Sequence, residues 1–200
     1  RGPHEEQGRL ICQKPIFTPL VNSGTENSAI GLGRTAIIAS TYGYPYPALP
    51  EGAGPSDPEQ ADFVGGMVRV DISDESDGQG FNSQGGGAPG DCEIKWVNGV
   101  RSAAVPKLST ARVELLIDGQ AVGDRLIYTV ERRSPDGGQG TTGLDTYYFT
   151  AIRVETGEVV KQSRIGFGYL ADTLQMAGNI GRDGVYWQGT ISGVVRMEPQ

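Results

Sequence analysis

The sequence predicts an all-β fold: an antiparallel β-sandwich of jelly-roll type, or a barrel, with long Gly/Pro-rich loops and at most one short helix. Three observations carry this. Several segments of the second half alternate apolar and polar residues with a period of two, the pattern of a strand with one buried face. Turn dipeptides, Asn98-Gly99, Asp118-Gly119 and Thr156-Gly157, fall between those segments. Only residues 170–176 (LADTLQM) read as a helix, and Ala177-Gly178 would stop it. A chain of 200 residues suits a single β domain, 1–200.

Taken in order, residues 15–21, 34–44 and 61–73 read as the strands of the first half. In the last of these, Val64, Met67, Val68, Val70 and Ile72 supply β-type apolar content, and Gly65-Gly66 suggests a bulge. Residues 1–33 hold one clear strand and otherwise read as an extended N-terminal arm. Residues 45–60 and 74–91 are acidic, Gly/Pro-rich loops of a length that usually carries function or motion. From residue 92 onward the strands follow closely. Segments 93–97 and 100–105 flank Asn98-Gly99, a type I′ hairpin signal. Segments 111–117 and 126–133 flank the turn opened by Asp118-Gly119. Segments 146–155 and 158–169 flank Thr156-Gly157. Residues 185–197 close the chain as one strand, with Trp187, Gly189, Ile191, Gly193, Val195 and Met197 on one face.

Charge is distributed unevenly. Between Glu51 and Glu93 lie ten carboxylates and one cation, Arg69, while the whole chain carries a net −7. The remainder is therefore close to neutral, and the acidic stretch needs solvent, a metal ion or a cationic partner. The absence of a basic stripe argues against nucleic acid. No apolar run approaches the length of a transmembrane helix. His4 is the only histidine, which argues against a Ser-His-Asp or Cys-His site. There is no P-loop, dinucleotide fingerprint or HExxH sequence.

Carboxylate chemistry remains. Asp71, Asp74, Asp77 and Asp91 are the candidate ligands of a calcium ion, which takes six to eight oxygen donors. The stretch DISDESDGQG has the atoms but departs from the EF-hand pattern, and a solvated acidic loop is the other reading. Glu114 and Glu131 lie on strands expected to pair, which would allow the carboxylate pair of a glycoside hydrolase or lyase. Tyr42, Tyr44 and Tyr46 alternate with Gly43, Pro45 and Pro47. A stiff extended loop of this kind displays phenol rings at low entropic cost to a protein or a sugar, or lies flat on its own domain. Trp96 and Trp187 read as core or rim residues. Cys12 and Cys92 suggest one disulfide and an oxidising compartment. Closing a loop of that length would stabilise the fold by about 4–5 kcal/mol.

These features lead to an expected structural or assembly subunit outside the cytoplasm, at a cell surface, in the periplasm or in a virion. It would contact copies of itself or neighbouring surface proteins, with calcium assisting. A monomeric carbohydrate-binding module and a carboxylate-pair hydrolase are the alternatives.

Overall fold

The computed structural model describes residues 14, 25–42, 66–72, 92–109, 113–117, 120–135, 143–181 and 184–198. In chain order the strands are β1 (Thr25–Leu32), β2 (Thr35–Tyr42), β3 (Gly66–Ile72), β4 (Cys92–Asn98), β5 (Lys107–Leu108), β6 (Val113–Ile117) and β7 (Gln120–Asp124). They continue with β8 (Leu126–Arg133), β9 (Thr146–Arg153), β10 (Val159–Phe167), β11 (Asn179–Ile180), β12 (Tyr186–Thr190) and β13 (Gly193–Met197). The pairings between these strands are antiparallel. They form sheets of order β1-β2-β3-β4, β10-β9-β8-β5, β11-β12-β13 and β6-β7, none of which closes into a barrel among the described residues. The fold is all-β and sandwich-like. No described helix is long and apolar enough to cross a membrane.

The β8–β9 pair is the centre of the packing, because period-2 alternation gives it two buried faces. On one face Ile127 and Ile152 are directly paired and pack with Ile37, Ala39 and Met67 of the first sheet. On the other, Val130 and Phe149 pair and pack with Tyr147, Ala171 and Tyr186, bringing in the C-terminal sheet. The rings of Phe149 and Tyr186 lie 5.1 Å apart, a favourable aromatic separation.

A bulge sets the facing of β4. Arg69 pairs with Trp96 but Val70 pairs with Ile94, so Lys95 is the extra residue. Trp96 therefore packs towards the β8–β9 core, while Ile94 and Cys92 join Val68 and Val70 on the other face. The indole N–H of Trp96 donates to the Val154 carbonyl at 2.9 Å. The β9–β10 turn rests on the same ring: Gly157 has φ +73°, and a Cβ there would lie 2.5 Å from Trp96 Cδ2.

Several boundaries differ from the sequence reading. β1 was hidden within the expected arm, and it pairs with β2 through a tight turn at Gly33-Arg34, Gly33 having φ +61°. Asn98-Gly99 does not make a hairpin. The Asn98 side chain instead accepts from the Val100 N–H at 3.0 Å and donates to the Gly157 carbonyl at 2.9 Å, turning the chain away from β4. Residues 101–109 then run along β8, with Ala103 N–H donating to the Val130 carbonyl and Arg132 N–H to the Arg101 carbonyl. β6 pairs with β7, Ile117 opposite Gln120, so among the described residues β6 and β8 do not pair and Glu114 and Glu131 lie in separate sheets. The single strand expected over 185–197 is a hairpin, β12–β13, turning at Ile191-Ser192. The expected helix 170–176 is one 3₁₀ turn, Tyr169–Ala171. The Asp172 carboxylate competes for the Leu174 N–H at 2.9 Å and so diverts the backbone from a helix. The strand expected over 15–21 and the loops 45–60 and 74–91 lie outside the described residues.

Candidate interaction surface

The segment from Gly166 to Met176 crosses from β10 to the C-terminal sheet, and its backbone is pinned along its length. Gly168 has φ +74° and donates its N–H to the Asp145 carbonyl at 2.8 Å. Ala171 N–H bonds back to Gly168 at 3.0 Å, closing the 3₁₀ turn, and its methyl is buried against Gly166 and the core. Thr173 Oγ1 and Gln175 N–H both donate to the Ala103 carbonyl. The β12–β13 turn is fastened to the same segment, with Ile191 N–H on the Asp172 carbonyl at 3.0 Å and Ser192 N–H on the Leu170 carbonyl at 3.1 Å. Gln188 Nε2 donates to the Met176 carbonyl at 3.1 Å.

With the backbone and small residues turned inward, the large apolar side chains turn out. Eleven large hydrophobic residues are exposed among the described ones, and nine belong to this region: Leu144, Phe167, Tyr169, Leu170, Leu174, Met176, Trp187, Ile191 and Val194. Leu170 is 64% exposed, Leu174 60% and Val194 69%. Between residues 165 and 181 the one charged residue is Asp172, which is 4% exposed. An apolar band of this extent, in which the one charge of residues 165–181 is buried at Asp172, marks a surface that meets another molecule.

Backbone strain coincides with the band. Leu174 has φ +48° and Gln175 φ +57°, the described non-glycine residues in the left-handed region. That conformation costs a branched residue such as leucine free energy, and it persists only where surrounding bonds enforce it. Here the Asp172 carboxylate and the Ala103 carbonyl enforce it, and the result is a leucine held out into solvent.

Beneath the band lies a buried ion pair. Arg132 Nη1 donates to Asp145 Oδ2 at 2.9 Å with both side chains fully buried, and Ser134 Oγ donates to Asp145 Oδ1 at 2.8 Å. Because the Asp145 carbonyl also holds Gly168, this pair anchors the corner that presents Leu144 and Tyr169.

The residues singled out from the sequence are not gathered in this region. Asp71 sits on β3, and its two carboxylate oxygens accept from Arg69 Nε, Arg69 Nη2 and Thr35 Oγ1 at 2.7–2.9 Å. Burial alone would raise this carboxyl, but the Arg69 and Thr35 hydrogen bonds and the Arg69 charge hold it below the usual carboxylate range. Asp74, Asp77 and Asp91 lie outside the described residues, among which no three His, Cys, Asp or Glu side chains are grouped to hold a metal. Tyr42 ends β2 opposite Thr25, and Tyr44 and Tyr46 lie outside the described residues. Cys92 opens β4, buried, and no cysteine among the described residues is free; Cys12 lies outside them. Glu131 is engaged by Arg133, Thr150 and Gln162.

The sequence reading missed the band because it assigned 170–176 to a helix. The signal was available in GFGYLADTLQMAG, residues 166–178, where five large apolar residues share one acid and no cation.

No protein-family model and no curated protein matches the chain.

Proposed function

We propose that this chain is a structural assembly subunit that works outside the cytoplasm, contacting copies of itself or neighbouring surface proteins. The observation that carries this reading is the apolar band over residues 167–176 and the β12–β13 turn. Burial of apolar side chains on association is favourable at roughly 25 cal/mol per Å². A band fixed by backbone hydrogen bonds loses little conformational freedom on association, which favours binding. In this reading a Cys12–Cys92 disulfide staples the domain for an oxidising compartment. The carboxylates between Glu51 and Glu93, with Asp71, Asp74, Asp77 and Asp91 as the ligand candidates, take calcium or a cationic neighbour and so tune assembly. Light scattering in calcium and then in excess chelator tests both parts. Species above 21.2 kDa in both conditions support the band alone, and species that fall to 21.2 kDa on chelation add the calcium role. A protein that stays at 21.2 kDa throughout contradicts the reading.

A second reading, carbohydrate binding, is favoured by one row on the C-terminal sheet. Asn179, Trp187 and Arg196 are cross-strand neighbours, all exposed, with Arg196 5.5 Å from the Trp187 ring. An indole face flanked by amide and guanidinium donors suits a sugar ring. Retention on a glycan array, lost in Trp187→Ala, would favour this reading over assembly.

A further inference from the structure

The one Asn-Gly dipeptide of the chain, Asn98-Gly99, stands apart from the apolar band. It ends β4 with the Asn98 side chain held on both of its polar atoms. Oδ1 accepts from the Val100 N–H at 3.0 Å, and Nδ2 donates to the Gly157 carbonyl at 2.9 Å. The first of these bonds closes a turn in which the side chain stands in for a backbone carbonyl. Asn98 Cγ and the Gly99 nitrogen are both members of that hydrogen-bonded ring, so the turn keeps them as neighbours. Gly99 is exposed, its φ lies outside the left-handed region, and no atom crowds the place where a Cβ would stand. β4 ends at Asn98, so the Gly99 N–H lies beyond the ladder to β3.

We infer that Asn98 is a self-modifying site, whose side-chain amide is lost in the folded chain through a succinimide formed with Gly99. Solvent base takes the Gly99 amide proton, and the nitrogen bonds to Asn98 Cγ. The Cγ–Nδ2 bond then breaks, and Nδ2 leaves as ammonia with a proton from solvent. Water opens the cyclic imide at either carbonyl, giving aspartate or, with the main chain rerouted through the side-chain carbons, isoaspartate. In sum one water is consumed and one ammonia released. The fold makes two contributions. The turn holds the reacting atoms together, which removes part of the entropic barrier to ring closure. The Val100 N–H already sits on Oδ1, the atom on which negative charge develops as the nitrogen attacks.

The other described asparagines lack this arrangement. Asn27 lies inside β1, opposite Ser40 of β2. Asn179 precedes Ile180, whose N–H is itself bonded to Asn179 Oδ1 at 3.0 Å and whose branched side chain crowds the approach. The place of Asn98 gives the reaction a consequence. Gly157 is buried against Trp96, and the Nδ2 bond ties the first sheet to the β9–β10 turn, beside the bonds of Arg69 and Trp96 to the Val154 carbonyl. Aspartate at this position sets a carboxylate oxygen against the Gly157 carbonyl, and a donor is lost. Isoaspartate also adds a main-chain carbon just before Val100, a buried member of the core. Conversion therefore loosens the turn from the first sheet as the protein ages.

Incubation of the whole chain in mildly alkaline buffer, folded and in denaturing urea, tests this, with the tryptic peptide 96–101 (WVNGVR) followed by mass spectrometry. The expected result is faster conversion of Asn98 in the folded chain than in urea, with Asn27 and Asn179 intact over the same time. Gly99→Ala should slow conversion about tenfold or more by displacing the attacking nitrogen. The alanine fits the fold, since nothing lies within 4 Å of its Cβ. Asn98→Asp, which mimics one product, should melt a few degrees below the wild type. An Asn98 that converts more slowly folded than in urea overturns the proposal, and that comparison needs no variant to fold. A rate that Gly99→Ala leaves unchanged also overturns it. An Asn98→Asp protein as stable as the wild type overturns the loosening of the turn.

Discussion

Replacing Leu174 by glycine should make the isolated domain more stable and its association weaker. Leu174 sits at φ +48°, in the left-handed region, where a side chain with a Cβ costs roughly 1–2 kcal/mol and glycine costs nothing. Glycine also enlarges the entropy of the unfolded chain, which offsets roughly 0.4–1 kcal/mol. The net is a gain of roughly 0.5–1 kcal/mol, or a melting temperature a few degrees higher for a chain of this size. Association moves the other way. The side chain is 60% exposed, so covering it in an interface contributes about 0.6 of the roughly 1.5–3 kcal/mol of a fully buried leucine. In a two-fold dimer the loss is counted twice, about 2–3.5 kcal/mol, which weakens dimerisation roughly twenty- to four-hundred-fold. Urea denaturation of dilute protein reads the first effect and sedimentation velocity over a concentration series reads the second. A Leu174→Gly protein that is less stable and associates as before would refute the link between strain and surface.

Further outcomes follow from the packing. Gly157→Ala should destabilise the fold by about 2–4 kcal/mol in urea, because φ is +73° and the new methyl would meet Trp96 at 2.5 Å. Asp145→Ala should cost about 3–5 kcal/mol by removing the carboxylate that meets the buried Arg132 guanidinium; equilibrium denaturation at neutral pH reads this. Acid should weaken the fold partly through Asp71. Its folded pKa lies below the ordinary 3.8, so its contribution is complete above the unfolded value and is lost as the pH falls through the folded one. Asp71→Asn should therefore flatten the stability–pH curve below about pH 4, as seen in melting temperatures measured from pH 2 to 7.

How far the sequence could be read depended on whether local chemistry or tertiary competition decided each element. β8, β9 and β10 were legible, because Leu126, Tyr128 and Val130 alternate with Ile127, Thr129 and Glu131 along β8 and Thr156-Gly157 turns β9 into β10. β1 was not, since TENSAIGL shows no alternation and becomes a strand by pairing with β2. Asn98-Gly99 has the composition of a hairpin, but the Asn98 amide finds a partner in Gly157, which is 59 residues away and invisible locally. The facing of Trp96 turns on one bulge at Lys95, and no pattern in β4 announces it. The interaction band was hidden for the same kind of reason. Residues 170–176 have helical spacing, yet Asp172, Thr173 and Ala103 together hold a left-handed backbone that turns Leu174 outward. Composition showed the lack of charge there, but geometry showed which side chains face solvent.

Sedimentation equilibrium of the wild-type chain against Leu170→Asp/Leu174→Asp asks whether the apolar band is an interface. The wild type should show concentration-dependent mass above 21.2 kDa. The variant should remain at 21.2 kDa at all concentrations, with unchanged circular dichroism because both leucines are at least 60% exposed. Equal masses for the two proteins across the series would show that the band is not an interface.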